Sequence, residues 1–345
     1  MRILLVKTSS LGDIIHTFPA LTDALKNNPD IRFDWVVEEG FADLPALHPA
    51  VDKVFALPWR RLRKTLWLPA TWRELRNFVR SLQIEKYDYV IDAQGLLKSA
   101  IWTKFIKAPV HGLSSASARE PLAAHFYDVK HDVSWGQHAI IRVRQLFAQA
   151  LGYELPNTDD TDFGITPRLR VLPDADARPY WVFAHGTTWE SKHWPEAYWQ
   201  QLILFAAQHK KRVLLPWGNE TERARAVRLA RLTQHVQVLP ELSLKALTRV
   251  LVDAELVVGV DTGLTHLAAA LHRPVVALYG STEPGLTGVV GPQAVVLQAK
   301  FPCAPCLREQ CIELTEEQLL PPCYVKDLSP ERVQHEIEKL LAAHE

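Results

Sequence analysis

The chain has 345 residues, 48% of them hydrophobic and 23% charged, with 39 Lys and Arg balanced by 39 Asp and Glu. That length holds two domains of ordinary size, and zero net charge excludes a whole-protein field for nucleic acid, so an acidic partner must meet a local patch. No apolar run is long enough to span a membrane, and Ile3-Leu4-Leu5-Val6 is too short for a signal peptide and runs straight into Lys7, so the expected location is the cytoplasm.

Met1 to Val6 predicts a first strand. Lys7 to Asp13, KTSSLGD, is a loop of small and polar residues. Ile14 to Asn27 then has helical spacing, with Ile14, Phe18, Leu21 and Leu25 in one stripe and Pro19 tolerable only near the start. Asp13 therefore stands at the carboxyl end of strand one, the edge where open parallel sheets bind ligands. A helix N-cap is its plainer reading. The loop carries neither GxGxxG nor GxxxxGK[ST], so it is neither a dinucleotide fingerprint nor a Walker A loop.

Phe33 to Glu38 is a second strand. Pro58 to Lys64, PWRRLRK, puts Arg60, Arg61, Arg63 and Lys64 within five residues, and Trp67, Trp72, Leu75 and Phe78 follow. Like charges so crowded repel unless something negative comes near. Such a run suits anionic lipid headgroups or an anionic substrate, arginine matching carboxylate and phosphate. A solvated helix face is the alternative. Tyr89 to Asp92 is a strand with the turn Gln94 to Lys98 at its carboxyl end. Ser117 to Glu120 looks like a helix start, Trp135 to Leu151 like a helix, and Thr166 to Pro179, with three prolines, like a linker.

The second half repeats this grammar. Trp181 to Ala184 is a strand followed by His185-Gly186-Thr187-Thr188 and Lys192, and Pro195 to Gln208 a helix. Arg212 to Pro216 is a strand with Gly218 to Glu222 at its carboxyl end. Val236 to Leu239 is a short strand, and a helix starts at Ser243. Leu256 to Gly280 reads as strand, tight turn, helix, turn, strand, a parallel βαβ unit. Asp261 and Thr262 sit where strand gives way to helix, and Gly263 leaves the backbone open. A helix N-terminus with free N–H groups is an anion site, and His266, four residues after Thr262, shares its face. A diphosphate is the expected occupant, a well-capped turn the plainer reading. The singular residues of this half all follow strands, on one edge suited to one ligand crevice. Cys303, Cys306, Cys311 and Cys323 form one CxxC and two looser cysteines. They could hold zinc in a Cys-only site, but reduced thiols are the expectation in a cytoplasmic chain. Ser329 to Ala343 closes as a helix.

The segments KTSSLGDIIHTFPALTDA, FDWVVEEGF, VIDAQGLLKSA, SAREPLA, KHWPE, LPWGNE and VDTGLTHLAAAL, in this order, resemble the bacterial lipopolysaccharide heptosyltransferase I family. The resemblance implies an α/β fold of two facing Rossmann-like domains, the GT-B architecture, with a crevice between them. It implies an acceptor domain over 1–165 that carries the base, an ADP-heptose domain over 180–328, and a closing helix over 329–345. It also implies inverting transfer of a heptose from ADP-heptose to the Kdo residue of Kdo-lipid A, at the cytoplasmic face of the inner membrane. The cysteine-bearing tail departs from the family pattern.

Inversion needs a base for the acceptor hydroxyl and stabilisation of the leaving diphosphate. Asp13 suits the base. The N–H groups at Thr262 and Gly263, with His266 and Lys192, suit the leaving group. No acidic cluster follows a strand to hold magnesium, so the expected transfer uses no metal or other cofactor. By the resemblance, Thr187 and Thr188 also touch the donor and Glu222 meets the ribose, while Asp261 orients the turn, since two anions repel. Arg60, Arg61, Arg63, Lys64, Lys98 and Arg119, with Ser10, form the expected acceptor grip, which also favours an anionic membrane surface. Three other readings stay open: heptosyltransferase II-like transfer to a heptosylated core, a nicotinamide-dependent oxidoreductase, and a non-catalytic sugar-nucleotide module.

Overall fold

The computed structural model describes residues 1–157, 160–165, 179–314 and 320–343. The chain divides into two compact units, Met1–Ile165 and Thr166–Glu345. The linker expected over Thr166 to Pro179 falls, except for Pro179, outside the described residues.

The first unit runs β1 (Arg2–Val6), α1 (Leu11–Ile15), α2 (Phe18–Asn27), β2 (Arg32–Glu38), β3 (Val51–Leu57), α3 (Trp59–Leu62), α4 (Pro69–Leu82), β4 (Tyr89–Asp92), α5 (Leu97–Thr103), β5 (Val110–Leu113), β6 (Val129–His131) and α6 (Ala139–Leu151). Its six strands lie in the order β3-β2-β1-β4-β5-β6, all parallel. Leu4, Val6, Val36 and Val90 face a core completed by Leu75, Phe78, Leu82 and Trp102.

The second unit runs β7 (Tyr180–Ala184), α7 (Glu196–Gln208), β8 (Arg212–Leu215), α8 (Glu220–Ala230), β9 (Val236–Val238), α9 (Leu244–Val252), β10 (Leu256–Val260), α10 (Gly263–Ala270), β11 (Val275–Tyr279), α11 (Pro284–Thr287), β12 (Ala294–Gln298), α12 (Pro322–Lys326) and α13 (Pro330–Ala342). Its sheet, β12-β11-β10-β7-β8-β9, is also parallel throughout. Counted from β7, this is the same doubly wound order as the first sheet. Strands β7, β10 and β11 are buried on both faces, as continuous apolar runs require. Trp181, Phe183, Trp194 and Trp199 fill the core, and Trp194 Nε1 donates to Leu328 O, seating the start of α13, which packs on α7.

Order of this kind has one switch point per sheet, where neighbouring strands send their connections to opposite faces and a crevice opens at the carboxyl ends. In the first sheet it lies between β1 and β4, in the second between β7 and β10.

Several expectations are corrected. The single helix expected over Ile14 to Asn27 is two, α1 and α2. Pro19 has no N–H to donate and its ring crowds the preceding turn, so a new helix starts with Thr17 as its N-cap. Ser117 to Glu120 is a turn ahead of a 3-10 helix, Pro121–Phe126. The helix expected from Trp135 starts only at Ala139: Gly136 has φ +80°, and the His138 ring caps the first turn by accepting from Ile140 N.

Candidate active site

At the first switch point, the β1–α1 and β4–α5 loops are stitched together. Gln94 Oε1 accepts from Thr8 N at 2.9 Å and Ser9 N at 3.1 Å. Lys7 is buried, with Nζ 3.0 Å from Ala93 O and 3.7 Å from Asp13 Oδ1. Lys98 Nζ donates to Ser9 Oγ at 3.0 Å. The β4–α5 loop is held by Asp92, whose buried carboxylate accepts from Gln94 N, Ser99 Oγ and Tyr127 Oη at 2.8–2.9 Å. Tyr127 reaches it across Gly112, where a Cβ would sit 2.4 Å from the ring.

Asp13 is the third residue of α1, not its cap; Ser10 is the cap. Asp13 Oδ2 accepts from Ser10 N at 2.8 Å and Ser10 Oγ at 2.7 Å, so the carboxylate reaches back over the helix start. Its surroundings favour the proton, but the Lys7 ammonium, the Ser10 donors and His16 outweigh that and hold the carboxyl below its usual range. With 42% of its side chain exposed, Asp13 remains open to a reactant.

The basic stretch divides. Arg61 is matched by its own protein, with Glu39 at 3.2 Å and Glu74 at 2.6 Å. Arg60 lies 5.0 Å over the Phe41 ring and feels Lys98, so these two cations share the neighbourhood of Asp13 and Glu38. Arg63 and Lys64 are exposed and have no carboxylate within ion-pair distance among the described residues. Arg119 is exposed beside Glu120, whose carboxylate accepts from Leu97 N at the head of α5. The crowding read in the sequence is thus relieved in part from within.

At the second switch point, the hub is Asp261. Its carboxylate lies 2.7 Å from Lys192 Nζ and 3.3 Å from His266 Nε2, and accepts from Thr282 Oγ1 at 2.8 Å. Burial favours the acid, but His266 and Lys192 prevail and hold it far below the usual carboxylate range. Lys192 also lies 4.6 Å over the Trp189 ring. Thr187 Oγ1 donates to Asp261 O, and Thr188 is exposed beside it. Thr262 caps α10 through its extended backbone without a side-chain bond, which leaves the hydroxyl free of that duty. Glu222 accepts from Gly218 N and packs against Gly186, where a Cβ would sit 2.5 Å from its carboxyl carbon. Thr187, Lys192, Asp261, Thr262, Gly263 and His266 therefore form one cluster. Glu222 joins it through the Gly186 loop.

Sequence reasoning missed Asp92, Gln94 and Tyr127 in the first unit, and His193, Arg225 and Thr282 in the second. Asp92, Gln94 and Thr282 lie within three residues of a strand's carboxyl end, the signal that found the others. The four cysteines are free thiols, and burial pushes Cys323 up to about 12. Among the described residues no three His, Cys, Asp or Glu side chains gather as a metal site.

Two buried imidazoles, His48 and His185, and the half-buried His193 add a pH dependence to stability. Burial lowers His48, His185 and His193 to about 4, with the Arg225 charge assisting at the last two. The unfolded chain protonates these rings near 6.5, the folded chain only near 4. Their contribution is therefore complete above about pH 6.5 and is lost as pH falls towards 4, by about 2 kcal/mol per ring at pH 5. The melting temperature should fall steeply between pH 7 and 5; a flat profile would show that these rings take up protons without cost.

The family model of glycosyltransferase family 9 (heptosyltransferase) matches residues 75–316. The chain is 52% identical to lipopolysaccharide heptosyltransferase 1 of Pseudomonas aeruginosa, covering 100% of this chain and 99% of that one. It is similar in structure to E. coli heptosyltransferase WaaC with ADP, at TM-score 0.87 and 45% identity over 99% of this chain and 100% of that one. The same enzyme with ADP-2-deoxy-2-fluoro heptose superposes at TM-score 0.84 and 43% identity over 98% and 99% of the two chains. With two doubly wound sheets and polar clusters at both switch points, the chain belongs to glycosyltransferase family 9, the heptosyltransferases.

Proposed function

We propose that the chain transfers a heptose from ADP-heptose to the Kdo residue of Kdo-lipid A, with inversion at the anomeric carbon. The observation that carries this is full-length identity of 52% to a lipopolysaccharide heptosyltransferase 1. The chemistry of the clusters supports it. Asp13 is ionised at neutral pH and serves as the base for the acceptor hydroxyl. Lys192, His266 and the N–H groups at the head of α10 meet the diphosphate as it leaves, and Asp261 keeps both side chains in place. Glu222 binds the ribose hydroxyls, and Thr187 and Thr188 the phosphate side.

Fixed cations and helix N–H groups supply the charge stabilisation that magnesium supplies elsewhere, so the transfer proceeds without a metal. Arg60, Arg63, Lys64, Lys98 and Arg119, with Ser10, take the Kdo carboxylate and the lipid A phosphates, arginine binding both bidentately. Arg61 belongs with them but shares its charge with Glu39 and Glu74. The same face meets the anionic inner membrane from the cytoplasmic side: Trp67 and Trp72 are exposed beside these cations, and such pairing suits a headgroup layer. No helix among the described residues is long and apolar enough to cross a membrane.

The test is turnover of ADP-heptose with Kdo-lipid A and with heptosylated lipid A, each with and without excess EDTA. ADP release with Kdo-lipid A, undiminished by EDTA, is expected. Preference for the heptosylated acceptor would assign heptosyltransferase II chemistry, donor binding without release a non-catalytic module, and loss in EDTA that magnesium restores a metal-dependent transfer.

A further inference from the structure

Beside the β10–α10 turn, the donor cluster draws on two loops, His185–Thr188 after β7 and the 3-10 turn Glu190–Lys192, and neither is regular enough to hold itself in place. One side chain outside the cluster reaches both. Arg225, on α8, donates from Nη1 to His193 Nδ1 at 2.5 Å and to His185 O at 3.3 Å. His185 O is the carbonyl immediately before Gly186-Thr187-Thr188, and His193 immediately follows Lys192. Glu222 stands three residues before Arg225 on the same helix, is attracted by it, and packs against Gly186.

We infer that Arg225 is the positioning residue of the donor site, fixing the Gly186–Thr188 loop against the Lys192 segment so that both present their groups to one diphosphate. This rests on the donor role proposed above for Thr187, Thr188 and Lys192. Arg225 itself is turned to His185 and His193, so it acts through these loops and not by touching the nucleotide. A guanidinium suits the task because the two N–H bonds of Nη1 that meet these acceptors are fixed in the guanidinium plane, whereas an ammonium turns freely on a flexible stem. His193 must present an unprotonated Nδ1 to accept, and burial with the Arg225 charge keeps the ring neutral at pH 7. The neighbouring Arg228 has a different duty: it grips Glu196 through two bonds, at 2.9 and 2.7 Å, and fastens α8 to α7.

The experiment measures ADP affinity calorimetrically, with kcat, KM for ADP-heptose and melting temperature, on the full chain. Arg225→Ala should weaken ADP binding roughly 10- to 100-fold, the scale of a hydrogen bond to a charged group, and raise KM more than it lowers kcat. Arg225→Lys should fall between. His193→Asn, whose side-chain oxygen can accept near the Nδ1 position, should keep most of the affinity, while His193→Phe should lose as much as Arg225→Ala. Arg228→Ala should lower the melting temperature and leave ADP affinity unchanged. Arg225 would be only a fastening of α8 if its variants bound ADP normally, or if the Arg228 variant lost affinity equally. Should Arg225→Ala not fold, the His193 pair decides: equal affinity for Asn and Phe overturns the inference. A wild-type chain that binds no ADP would instead overturn the donor-site reading itself.

Discussion

Asp13→Asn should lower kcat by roughly 10²–10⁴, the contribution of a positioned general base, with ADP affinity and melting temperature almost unchanged. The geometry makes this a clean comparison. Asp13 Oδ2 accepts from Ser10 N and Ser10 Oγ. An asparagine oxygen accepts from the same two donors, so the bracing at the start of α1 survives; basicity is removed together with the charge 3.7 Å from Lys7, whose ammonium keeps its bond to Ala93 O. Asp13→Ala removes both and should cost about 1 kcal/mol of stability in addition. Ionisation is secured by Lys7, the Ser10 donors and His16 against the pull of burial. A base held below the usual carboxylate range is lost only as pH falls below about 4, so Asp13 should impose no decline in rate between pH 8 and 5. An asparagine variant with near-normal kcat would reduce Asp13 to a brace for α1.

What could be read from the sequence follows the strength of each physical signal. Strands β1, β7, β10 and β11 are central, buried on both faces and written as unbroken apolar runs. They were legible, and with them the loops that carry Asp13, Lys192 and Asp261. Of the edge strands, β9 was legible and β3, β6 and β12 were not. Strand β3, VDKVFAL, is solvated on one side and carries charge, and β6 is three residues long, so neither shows the period of a buried strand. Residue types with a single chemical reading, such as the Arg60–Lys64 cluster, were visible as charge, but their partners were not. Glu39 and Glu74 meet Arg61 only once β2, α3 and α4 are packed. Gln94 and Arg225 act through backbone atoms far away in sequence, 86 residues for Gln94 to Thr8 and 40 for Arg225 to His185. No local pattern encodes such a bond.

Lys192→Met should weaken ADP binding roughly 10- to 100-fold, because the diphosphate loses a cation in a partly desolvated site. The same change should also lower stability. Lys192 and Asp261 are 2.7 Å apart with side chains only 16% and 9% exposed, and stripping a buried carboxylate of one partner costs up to about 3–5 kcal/mol. His266 and Thr282 remain on Asp261 and blunt that penalty. Affinity and stability must therefore be separated, and a second substitution does it. Lys192→Met with Asp261→Asn removes both charges, leaves a neutral amide that still bonds Thr282, and should recover most of the melting temperature. If Lys192 meets the diphosphate directly, ADP affinity stays low in the double variant, and kcat with it, because no cation has returned to the leaving group. If Lys192 only neutralises Asp261 to hold the turn before α10, relief of the unpaired carboxylate restores affinity along with stability. Isothermal calorimetry with ADP on the two variants, beside their melting curves, distinguishes a ligand contact from a structural ion pair, and recovery of wild-type affinity in the double variant would remove Lys192 from the donor site.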